Sequence, residues 1–137
     1  MGAWGHGHFE DDAALDFMIE IEAGDSKKTI ADALTYALEV DYLDYDEGNA
    51  AIVSSAYIDR QVNGTKFSTP GQEELLEVDT FPERHPDVEL SELRSAAVQA
   101  LQKVLGDGSE LNELWAENEE LYTAWRLGIE QLIQRLT

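Results

Sequence analysis

Two imidazoles and a carboxylate, His6, His8 and Glu10, stand at alternate positions near the start of the chain. In an extended segment residues two apart point to the same side, so the three could offer two nitrogens and an oxygen to zinc, nickel or copper. They are the candidate metal ligands. No helical H-E-x-x-H partner set accompanies them, and the third histidine, His85, lies between Arg84 and Pro86. The expectation is therefore that the protein holds no metal and no cofactor.

The acids Asp41, Asp44, Asp46 and Glu47 invite a calcium-loop reading. With Asp44 at loop position 1, however, Asn49 stands where glycine is required and Ser55 where the closing glutamate belongs, so the motif fails. The plainer expectation is that these acids favour the N-terminus of the next helix while Tyr42 and Tyr45 pack inward. No serine occupies a nucleophile elbow, since Ser54 and Ser55 fall inside a helical run, and no glycine-rich phosphate loop is present. With 29 Asp plus Glu in 137 residues, carboxylate pairs arise by coincidence and identify no acid–base site. No catalytic residue is assigned, and a non-enzymatic protein is expected.

Those 29 acids face only 9 Lys plus Arg, a net charge of -20. Such an excess repels phosphate backbones and anionic lipid, and the scattered basic residues form no patch to override it, which excludes nucleic acid and membrane as partners. Two readings of the charge stand: solubility or tolerance of a salty cytoplasm, and an acidic face for a basic protein partner such as a toxin or a nucleic-acid enzyme. The absence of cysteine removes disulfides, thiolate metal sites and thiol chemistry, and favours the cytoplasm. No run approaches the roughly 18 apolar residues of a membrane helix. The opening lacks the layout of a signal peptide, and His6 stands where a myristoylation motif wants Ser or Thr.

The elements that would position these residues are helices. One starts near Asp11-Asp12, carries Ala14, Leu15, Met18, Ile19 and Ala23, and stops at Gly24. Asp25 or Ser26 caps a second, with Ile30, Ala33, Leu34, Ala37 and Leu38 on one face. A third spans Asn49 to Val62 with Ala50, Val53, Ala56 and Tyr57 in its stripe, closed by Asn63-Gly64. The stretch from about 64 to 88 holds all three prolines and reads as a long irregular connection. Inside it, Thr69-Pro70-Gly71-Gln72 has a capping-box layout for a short helix through Val78. Leu90, Leu93, Ala97, Leu101 and Val104 mark another helix, broken at Gly106-Asp107-Gly108 before Ser109 caps the next. Leu111, Leu114 and Trp115 begin the last stripe, which Leu121, Trp125, Ile129, Leu132 and Leu136 complete, with one helix or two through Glu117 to Glu120. Trp115, Tyr122 and Trp125 are expected to pack in the core. The fold expected is all-α: one domain over residues 1–137, an irregular, partly orthogonal helical bundle with an extended N-terminal arm.

The opening Met1-Gly2-Ala3-Trp4-Gly5, followed by Gly7, Phe9, Glu10, Asp12, Ala14 and Asp16, resembles the signature of an uncharacterised bacterial family, domain of unknown function 4259. The alanine-rich helix around Ala50 to Ala56 and the block from Ser109 to Trp115 extend the resemblance over nearly the whole chain. It implies a bacterial, mostly helical, single-domain protein and no particular activity. His6, His8 and Asp11 depart from the family's pattern, which argues against a family-wide metal site on the histidines.

Physically, the glycines flanking Trp4 let the backbone lie close to helices while the indole enters a groove. The structural expectation is an N-terminal clasp in which Asp12 and Asp16, one turn apart, accept hydrogen bonds from the arm or meet an arginine. The functional alternative is a pocket floored by Trp4 and rimmed by Glu10, Asp12 and Asp16, with Gly5, Gly7 and Phe9 completing the signature. Two functions follow. One is an acidic protein–protein interaction or regulatory module; the other is a metal or small-molecule binder at that N-terminal pocket.

Overall fold

A computed structural model describes residues 7–67 and 77–137. Among them the chain is all-α: α1 (Asp12–Ala23), α2 (Ser26–Glu39), α3 (Tyr45–Asn63), α4 (Glu77–Arg84), a 3-10 turn (Ser91–Leu93), α5 (Arg94–Val104), α6 (Glu110–Ala116) and α7 (Glu119–Leu136). The helix starts follow cap chemistry. The side chains of Asp11, Asp25, Asp44, Ser109 and Asn118 each accept a hydrogen bond from a backbone N–H in the first turn of the helix that follows. Gly24 ends α1, Asp25 rather than Ser26 caps α2, and Asn118 separates α6 from α7.

The bundle is organised around α3, which packs against every other helix. Unlike the single stripe expected, α3 is buried on all sides from Gly48 to Asp59. A helix surrounded by neighbours has no solvent face to spend on polar residues. Two of its buried polar side chains find backbone partners within the helix, Ser55 Oγ donating to Ala51 O at 2.8 Å and Asn49 Nδ2 to Tyr45 O at 3.1 Å, while Ser54 Oγ and the Tyr57 hydroxyl have none among the described residues. The helix also begins four residues earlier than its apolar pattern indicates. Glycine and asparagine at 48 and 49 are weak helix formers, but Asp44 caps the new first turn and Gly48 lets Leu111 of α6 come close. A Cβ at Gly48 would meet Leu111 Cδ1 at 2.8 Å.

Two further expectations are corrected. Tyr42 points outward, about half exposed, and donates to Glu113 Oε2 at 2.9 Å; only Tyr45 turns inward, its hydroxyl donating to Asp11. Within the described part of the connection from 64 to 88, the short helix lies later than the sequence places it, at Glu77–Arg84 instead of ending at Val78. α4 runs to Arg84 with Pro82 inside it, where the missing N–H leaves the Val78 carbonyl without its helical partner, and the helix ends two residues later. The capping-box residues 69–72 lie outside the described residues.

Trp115 and Trp125 stack at 5.9 Å with rings 11° apart, and Tyr122 stacks on Trp125 at 6.0 Å, joining α6 to α7 as core packing. The loop before α3 is tied to the loop before α6 by a parallel bridge, in which Leu43 N donates to Gly108 O at 2.7 Å and Glu110 N donates to Leu43 O at 2.9 Å. Gly108 is required there, because a Cβ would stand 2.8 Å from the backbone oxygen of Asp41. Gly108→Ala is expected to destabilise the fold by about 2 kcal/mol, measured by urea unfolding, since a backbone oxygen cannot swing aside as the end of a side group does. An unchanged midpoint would show that the two loops are not held in register.

Candidate functional site

The outward sides of α1 and α2 and the start of α3 enclose a groove of about 780 Å³. α1 and α2 present to it side chains turned away from their buried residues. α1 buries Ala14, Met18 and Ile21, which leaves Asp12, Asp16 and Glu20 stacked at successive turns along the groove, with Ala13 and Phe17 beside them. α2 buries Ile30, Leu34 and Ala37, and turns Asp32 and Tyr36 towards the same space. The first turn of α3 adds Tyr45, Asp46, Glu47 and Ala50.

The lining thus combines six carboxylates with three aromatic rings, and no Lys, Arg or His is part of it. Asp32 is the one acid with a cation, Lys28, at 2.7 Å on the exposed surface of α2. That pair raises the Lys28 pKa through the hydrogen bond and the charge of Asp32. Among the described residues the side chains of Asp12, Asp16, Glu20, Asp46 and Glu47 make no ion pair and no hydrogen bond. Like charges one turn apart weaken a helix. α1 carries two such pairs in succession, although Glu22 on another side of the same helix is matched with Arg84 at 2.8 Å.

Of the signature residues, Trp4, Gly5 and His6 lie outside the described residues. Residues 7–10 form a turn, Glu10 N donating to Gly7 O at 3.2 Å, and not the extended segment that would align His8 with Glu10. Phe9 is buried against Phe67, with ring centroids 5.9 Å apart, and His8 meets the same ring edge-on at 6.0 Å. His8 also approaches Gly128, and Glu10 folds back over Gly7. Asp11, not Asp12 or Asp16, secures this turn to the bundle, capping α1 and accepting from Tyr45. Among the described residues no three His, Cys, Asp or Glu side chains are grouped so as to hold a metal.

The structure thus brings Asp12 and Asp16 into the groove and places Glu10, Gly7 and Phe9 away from its lining. Phe17, Glu20, Asp32 and Tyr36 were missed by sequence reasoning, while Tyr45, Asp46 and Glu47 were given helix-start and packing roles and not a site. Part of the signal was present: the spacing of Asp12, Asp16 and Glu20 breaks the rule that charges of one sign avoid adjacent turns of a helix.

No helix among the described residues is long and apolar enough to cross a membrane. Neither a curated protein nor a solved structure is significantly similar to the chain. A family model described as Domain of unknown function (DUF4259) matches residues 2–127, through α1 to α6 and half of α7. The chain therefore belongs to the family designated domain of unknown function 4259.

Proposed function

We propose that the protein is a non-enzymatic interaction module that seats a Lys- and Arg-bearing segment of a basic protein partner in the groove between α1, α2 and α3. The observation that carries this reading is the lining: six carboxylates, five of them without a cation or hydrogen-bond donor, around Phe17, Tyr36 and Tyr45. Aromatic rings take up aliphatic side-chain stems and lie under guanidinium or ammonium groups, while the carboxylates fix the sign of the partner and steer its approach. A net charge of -20 extends that steering beyond the groove. A place in the bacterial cytoplasm belongs to the same proposal and is supported by the cysteine-free sequence.

The probe is a synthetic amphipathic peptide with Lys and Leu at helical spacing, titrated calorimetrically into the full-length protein. The Asp16→Lys, Glu20→Lys, Asp46→Lys triple variant changes only exposed side chains, so it retains its helical circular dichroism. It is expected to lose about 100-fold in affinity, at roughly 1 kcal/mol per reversed charge. Wild-type binding weakens as salt rises, because exposed charge pairs are screened. Equal affinities for the two proteins would overturn the groove as the docking site. No heat from the wild type would overturn the module reading itself.

A further inference from the structure

Asn63-Gly64 is the one asparagine–glycine step in the sequence; Asn49, Asn112 and Asn118 precede alanine or glutamate. Glycine has no side chain to shield its amide nitrogen, so an asparagine before it is the one most open to attack from the following residue. The step closes α3. Gly64 adopts the left-handed conformation, φ 76°, and its N–H donates to Arg60 O at 3.0 Å. The Asn63 amide nitrogen is held twice, donating to Asp59 Oδ1 at 2.7 Å and to Arg135 O at 3.0 Å. Asp59 is fully buried, and its other oxygen accepts from Arg135 Nε at 2.7 Å. One side-chain amide therefore joins the end of α3, a buried carboxylate and the end of α7.

We propose that Asn63 is a spontaneous deamidation site, gated by opening of the last turn of α3, and that its conversion uncouples α3 from α7. The Gly64 nitrogen attacks Asn63 Cγ. The new bond between them forms as the Asn63 Cγ–Nδ2 bond breaks, and ammonia leaves with the proton given up by the Gly64 nitrogen. Water then adds to either carbonyl carbon of the cyclic imide and breaks that carbon's bond to the ring nitrogen, yielding aspartate or isoaspartate. The net exchange is amide and water for carboxylate and ammonium, with solvent as the only co-reactant. In the closed helix the attacking N–H is spent on Arg60 O and both amide hydrogens of Asn63 are engaged, so the reaction waits on fraying.

The product cannot restore what the amide held. A carboxylate donates no hydrogen bond, so contacts to Asp59 and to Arg135 O are both lost. It sets a second anion where the amide nitrogen stood 2.7 Å from a buried carboxylate, at the negative end of the helix dipole. Isoaspartate also lengthens the backbone by one carbon, which breaks the register of the cap at Gly64.

The test is incubation of the full-length protein at mildly alkaline pH, folded and in urea, with peptide mass spectrometry reading amide-to-acid conversion at each asparagine. Conversion at Asn63 is expected to be slower in the folded protein by about tenfold or more, following the open population. It is also expected to be the first asparagine to convert in the folded protein. Equal rates in the two states, or prior conversion of another asparagine, would overturn the gating or the site. Asn63→Asp is expected to lower Tm by about 5 °C or more. Asp59→Asn in that background is expected to recover part of the loss, because it returns an amide donor between the two positions. An unshifted Tm in Asn63→Asp, or no recovery in the pair, would overturn the proposed consequence.

Discussion

Above about pH 10 the folded protein is expected to lose about 1.4 kcal/mol of stability per pH unit through Tyr57 alone, and Tyr57→Phe abolishes that component. Tyr57 is fully buried on α3, its ring edge-on to Phe81 of α4 at 5.0 Å, and its hydroxyl has no hydrogen-bond partner among the described residues. Burial, and after it the charges of Glu22 and Glu77, push the phenol far above its ordinary value of 10.0, with Arg84 opposing. The folded value thus exceeds the unfolded one. The contribution of Tyr57 to stability is complete below pH 10 and is lost as pH rises towards the folded value, because only the unfolded protein releases the proton. Urea unfolding of wild type and Tyr57→Phe from about pH 8 to about pH 11 measures the difference, and every other titrating group cancels between the two. Near neutrality the variant is expected to equal or slightly exceed wild type, since no hydrogen bond is removed and a buried hydroxyl is relieved of its desolvation. Parallel pH profiles would show that the phenol reaches solvent or a partner.

The second large effect is expected at Arg135. Its Nε donates to Asp59 Oδ2 at 2.7 Å, and the pair joins the ends of α3 and α7 with the carboxylate wholly out of water and the guanidinium one-third exposed. Deleting the cation strands the anion: Arg135→Ala leaves Asp59 with only the Asn63 amide, at a cost of about 3 kcal/mol. The penalty belongs to the stranded charge more than to the lost attraction. Adding Asp59→Asn to Arg135→Ala, which neutralises the buried group without changing its shape, is therefore expected to raise the unfolding midpoint above that of Arg135→Ala alone. A double variant no more stable than the single would mean that the pair acts through packing of the arginine stem.

The helices were legible where local chemistry decides them. Gly24 and the cap at Ser109 appear in the sequence as they do in the fold, Asp25 is one of the two caps the sequence offers for α2, and the stripe Leu121, Trp125, Ile129, Leu132, Leu136 is the inward side of α7. Reading failed where a neighbour overrides propensity. Gly48 and Asn49 argue against a helix start at Tyr45 until Leu111 is seen lying against Gly48. Pro82 argues for a loop until the phenyl ring of Phe81 is seen packed on Tyr57. The chemistry of His6, His8 and Glu10 rested on an extended backbone, and the turn at Gly7 to Glu10 removes the alignment between His8 and Glu10. Asp12 and Asp16 were singled out from the N-terminal signature and their one-turn spacing. Their place in a site depends on Asp32, Tyr36 and Asp46 from two other helices, and helical periodicity carries no information about which faces meet across a bundle.

The docking groove is tested most directly by mapping backbone amide chemical shifts of the full-length protein as the Lys–Leu peptide is added. Perturbations are expected to concentrate at Asp12 to Glu20, Thr29 to Tyr36 and Tyr45 to Ala50 and to be reversed by salt, with α5 and α7 unmoved. Shifts spread evenly over the acidic surface, or centred away from those three helix faces, would contradict the docking groove.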